Sequence, residues 1–93
     1  MNSRQRKTLE AIFSRPTPKN LLWRDVESLF TAVGCDVIEG EGSRVSFRYV
    51  IQYADKPDAE VQSDFHRPHP GKEAKPYQVK KAAGFLSTIG RVP

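Results

Sequence analysis

Apolar residues recur along this chain first with the spacing of helices and then with that of strands. Leu9, Ile12 and Phe13 form a short stripe behind Asn2 and Ser3, which predicts a capped helix running to about Ser14. Pro16 and Pro18 end it and stiffen a connector through Asn20. Leu22, Val26, Leu29, Phe30 and Val33 then fall on one continuous helical face, with Gly34 as the stop. Beyond Gly34 the period becomes two. Cys35–Glu39 reads as a short strand and Gly40-Glu41-Gly42 as a turn. From Ser43 to Tyr53, Val45, Phe47, Tyr49 and Ile51 alternate with Arg44, Ser46 and Arg48. After the turn at 55–58, Ala59–Phe65 alternates again, with Val61 and Phe65 inward and Glu60, Gln62 and Asp64 outward. Pro76 suits a first helical position, and Val79, Ala82, Ala83, Leu86 and Ile89 make a buried face ending at Gly90. Gly84 interrupts that helix, and one reading of it is close packing against a neighbour.

The order is α-α-β-β-β-α. Short connections make the strands a meander, and their alternation leaves one face buried and one wet. The expected fold class is therefore α+β: a two-layer sandwich of a three-stranded antiparallel sheet with helices on one face. Ninety-three residues suit one domain with one modest core. Residues 1–20 are its helix and proline-rich connector, and 22–92 its main body.

Charge adds a division that the hydrophobic pattern does not show. The net +4 separates into +5 over residues 1–24, −6 over 25–65 and +5 over 66–93. Basic ends attract polyanions, although the same charges also serve as ordinary solvated helix surface. No apolar run is long enough to cross a membrane, and no apolar segment follows the early arginines as in a secretory signal. A lone Cys35 forms no internal disulfide and fits a reducing compartment, by default the cytoplasm. One cysteine and two histidines do not have zinc-site spacing, so neither a metal nor another cofactor is expected.

Both histidines lie in His66-Arg67-Pro68-His69-Pro70-Gly71-Lys72-Glu73. The prolines favour an extended, polyproline-like path, which would place His66 and His69 on the same side, roughly 9 Å apart at the backbone. Imidazoles exchange protons near neutral pH, and Arg67, Lys72 and Lys75 supply fixed positive charge. That combination suits metal-free RNA cleavage, in which a histidine takes the proton of the attacking 2′-hydroxyl that DNA lacks. The same two histidines also read as turn residues. Arg44 and Arg48 on the wet face either reach phosphate or pair with Glu60 and Asp64. Trp23, Tyr49, Tyr53 and Tyr77 offer rings on which bases could stack, although Trp23 reads first as a core or core-edge residue at a helix start.

Over about residues 22–92 the sequence resembles the HicA family, the toxin half of HicA–HicB toxin–antitoxin modules. The resemblance rests on the order of hairpin Gly42-Ser43-Arg44, loop His69-Pro70-Gly71-Lys72-Glu73 and a helix at Lys75-Pro76. It implies a fold like that of double-stranded-RNA-binding domains, metal-independent cleavage of messenger RNA, and silencing by a HicB antitoxin. It also implies a catalytic histidine directly after the hairpin Gly-Ser, where this chain has Arg44. His69 matches the family's loop histidine, so it is the first candidate for acid/base work and His66 the second. Arg44, Arg67, Lys72, Lys75 and Arg48 are the candidate phosphate contacts. The other readings are a non-catalytic RNA-binding module and a protein-interaction domain.

Overall fold

The computed structural model describes residues 1–93. Its elements are α1 (Ser3–Ile12), α2 (Trp23–Ala32), β1 (Asp36–Glu39), β2 (Arg44–Ile51), β3 (Ala59–His66) and α3 (Pro76–Thr88). The strands form an antiparallel sheet in the order β1-β2-β3, and the helices cover one face, as the periodicities predict. Asn2 caps α1: its side chain accepts from the Gln5 N–H, and Gln5 returns the bond to the Asn2 N–H. Gly34, at φ +105°, follows the last turn of α2.

The core lies between the layers. Val26, Leu29 and Phe30 of α2 meet Val45 and Phe47 of β2, Phe65 of β3, and Val79, Ala82 and Leu86 of α3. Aromatic edges meet faces within it. Phe30 and Phe47 have centroids 4.7 Å apart at 70°, and Phe30 and Phe85 lie 5.4 Å apart at 69°. Leu9 and Ile12 carry α1 into the same core, and Arg4 clasps Asp25 of α2 with two hydrogen bonds of 2.8 and 3.1 Å.

Three expectations need adjustment. First, α1 is shorter than predicted, ending at Ile12 instead of about Ser14. Second, β3 runs one residue past Phe65 and includes His66, while β2 stops at Ile51 instead of Tyr53. Third, Gly84 does not mark close packing. It is exposed, and a methyl group there would meet nothing within 4 Å. Its helical cost is therefore uncompensated. Gly84→Ala should raise stability by about 0.5–1 kcal/mol, seen as a higher thermal midpoint; a lowered midpoint would show crowding that the packing does not contain.

Candidate functional site at the end of the β2–β3 ladder

The site is built where β3 hands over to the loop 67–75. Arg44 and His66 are register partners across β2 and β3. The next pair out is hydrogen-bonded, since the Arg67 N–H donates to the Ser43 carbonyl at 2.8 Å. Arg44 and His66 are therefore a non-hydrogen-bonded pair, the type whose Cα atoms approach to about 4.5 Å with side chains on one face. The hairpin before Arg44 is tight. Gly42 takes φ +61°, and Gly40 sits so close that a methyl group on it would come within 2.9 Å of the Arg44 Cβ. The His66 ring is exposed, with Nδ1 3.2 Å from Ser43 Oγ.

Behind the ring the backbone is anchored. Gln78 of α3 is 2% exposed. Its Nε2 donates to the His66 carbonyl at 2.7 Å, and its Oε1 accepts from the Lys75 N–H at 3.0 Å. Gln78 thus fastens the end of β3 to the start of α3. The sequence reading passed over it, although a Gln two residues after a helix-opening Pro76 occupies the capping-box position. Lys81 adds a hydrogen bond to the Asp64 carbonyl and lies 4.8 Å from the centre of the Phe65 ring.

The predicted phosphate contacts separate into engaged and free groups. The Arg67 guanidinium bridges Glu27 of α2 and Glu39 of β1, at 2.9 and 2.6 Å. Hydrogen bonds to Glu39 and then Glu27 push its pKa further above the usual arginine value. The same contact holds the Glu39 carboxyl below the usual carboxylate range. Arg48 is shared between Asp36 and Glu60, at 2.8 and 2.9 Å. Asp64 accepts from Ser46 and Gln62, which lowers its pKa. Two of the five candidate phosphate contacts, Arg67 and Arg48, are thus already paired with carboxylates. Arg44, Lys72 and Lys75 are exposed and enter none of the ion pairs.

His69 lies farther along the loop, exposed, with no hydrogen bond to its ring. His66 belongs to the strand ladder, so the connector begins only after it. The loop is nevertheless held. The Trp23 N–H donates to the Lys72 carbonyl at 2.9 Å and the Ala74 N–H to the Leu21 carbonyl at 2.8 Å. Cys35 is buried, and desolvation followed by the charge of Asp36 pushes its thiol up to about 11, which removes it as a nucleophile near neutrality. No group of three or more His, Cys, Asp or Glu side chains is placed to hold a metal ion. No helix is long and apolar enough to cross a membrane.

The family model for the HicA toxin of bacterial toxin-antitoxin matches residues 23–89, most of the chain. The chain belongs to the HicA toxin family. No curated protein and no solved structure matches it. The match begins at the first residue of α2 and spans the whole sheet, the loop and α3, so α1 lies outside the HicA segment. As a HicA protein the chain is a toxin of a toxin–antitoxin module, and Arg44 stands within the matched segment at the hairpin end.

Proposed function

We propose that this HicA toxin is a metal-independent endoribonuclease that acts on messenger RNA in the cytoplasm and is neutralised by a HicB-type antitoxin. The observation that carries this reading is the pairing of His66 with Arg44. The histidine that the family resemblance expects after the hairpin Gly-Ser is absent in sequence, but an imidazole stands directly across the ladder, on the same face. Ser43 Oγ orients it. With Nδ1–H donating to that oxygen, Nε2 is the basic nitrogen.

In this reading Nε2 of His66 takes the proton of a ribose 2′-hydroxyl. The 2′-oxygen attacks phosphorus, the bond from phosphorus to the 5′-oxygen breaks, and that oxygen leaves with a proton supplied by His69. Arg44, always charged, stabilises the phosphoryl oxygens in the transition state, with Lys72 and Lys75 holding flanking phosphates. Arg67 and Arg48, committed to carboxylates, position the loop and the sheet.

The purified chain should cleave RNA in the presence of EDTA, leaving 2′,3′-cyclic phosphate and 5′-hydroxyl ends, and should leave DNA of the same sequence intact. RNA that is retained by the protein yet stays whole through long incubation would replace this reading with a non-catalytic RNA-binding module, which the loss of the hairpin histidine to Arg44 also favours.

A further inference from the structure

A cavity of about 440 Å³ lies between the first turn of α2 and the loop, walled by Leu22, Trp23, Arg24, Pro68, Gly71 and Lys72, with Arg67 at its side. That volume is within the range of small-molecule sites. Three observations define what it would accept. Trp23 is 5% exposed, yet its Nε1–H is buried with no hydrogen-bond partner. An indole N–H can only donate, so Trp23 carries an unpaired polar edge just beneath the cavity wall that it helps to line. Arg24 and Lys72 are exposed and free of ion pairs, whereas the charge of Arg67 is offset by Glu27 and Glu39. The rim thus has two available positive charges and the wall offers apolar surface from Leu22 and Pro68. The cavity is also preformed, because backbone bonds from Trp23 to Lys72 and from Ala74 to Leu21 clamp the loop to α2.

We infer that this cavity is a subsite for one unstacked nucleotide of the RNA. Its phosphate lies on Arg24 and Lys72, and its base rests against Leu22, Pro68 and the exposed part of Trp23. Single-stranded RNA displays bases in this way, and an apolar wall with a few directed donors suits them. The subsite rests on the RNA-directed reading above and extends it, because the cavity begins at Arg67, the residue after His66.

Trp23 is the chain's one tryptophan, so it reports on its own cavity. The experiment titrates uridine 3′-monophosphate into the full-length protein and follows the indole N–H resonance by NMR together with tryptophan fluorescence. A saturable shift of that resonance is expected. It should weaken about tenfold in Arg24→Ala and in Lys72→Ala, each the loss of one charge-assisted contact at an exposed residue. Uridine alone and inorganic phosphate alone should each bind more weakly than the nucleotide. An indole resonance that stays fixed at high nucleotide concentration, or nucleotide affinity unchanged in both variants, overturns the subsite. RNA cleavage without any nucleotide effect at Trp23 would discard the subsite and keep the endoribonuclease. Nucleotide binding at Trp23 without RNA cleavage would keep the subsite and discard the endoribonuclease.

Discussion

His66→Gln will lower RNA cleavage by about 10²–10⁴-fold, the usual contribution of a positioned acid or base, and a second change, Arg44→His, will recover part of the loss. Glutamine keeps the size and polarity of the side chain but cannot take a proton. The substitution leaves the strand end intact, since Gln78 binds the main-chain carbonyl of residue 66 and not its ring. The thermal midpoint should therefore stay near that of the parent while activity falls. Rescue by Arg44→His follows from the register: residues 44 and 66 project from one face at neighbouring points of the ladder. A histidine returned to the hairpin side would stand within a few ångströms of the lost one. Recovery will be partial, because Arg44 then no longer stabilises the phosphoryl oxygens. Full cleavage by His66→Gln with loss in His69→Gln would move the base to the loop histidine. Full cleavage by both single variants would remove the histidine mechanism altogether.

This prediction turns on one residue of strand length, which was the hardest feature to read from the sequence. The helical stripe of α2 and the alternation of Val45, Phe47 and Phe65 announce the two layers, because a period of 3.6 or 2 is a local property of the chain. The end of β3 is not. Pro68 and Pro70 lie close enough to His66 to suggest an extended connector, and pairing with Arg44, 22 positions earlier, is invisible until the hairpin is closed. Arg67 shows the same limit. In sequence it is a cation among cations, but it meets Glu27 and Glu39, 40 and 28 residues away. What had read as a phosphate contact is in the fold a strut between α2, β1 and the loop. Trp23 was legible as a core-edge residue at a helix start. Its unpaired N–H was not, because satisfaction of a buried donor depends on every neighbour that the fold brings near it.

Phe47→Ala will have the largest effect on stability, a loss of about 3–5 kcal/mol. Phe47 is fully buried on the central strand of the sheet. Its ring meets Phe30 at 4.7 Å, Phe65 at 5.8 Å and Trp23 at 6.4 Å, so its removal leaves a void bordered by α2 and β3 together. Those rings are held by their own backbones and cannot collapse far into the gap. A domain of this size has about 5–15 kcal/mol in total, so the variant forfeits about a fifth of it or more. For 60–100 residues each kcal/mol moves the thermal midpoint by about 4–8 °C, which places the expected drop at about 12–40 °C. Val50→Ala, on the same strand but 38% exposed, is the internal comparison and should cost less than about 1 kcal/mol. Equal losses in the two variants would show that the sheet is not anchored through its inner face. The distinction bears on the site, because Phe65, which Phe47 supports, immediately precedes His66. A weakened core should loosen the ladder end that sets the imidazole against Ser43, so Phe47→Ala should lose cleavage together with its fold on warming, whereas His66→Gln should lose cleavage with the fold intact.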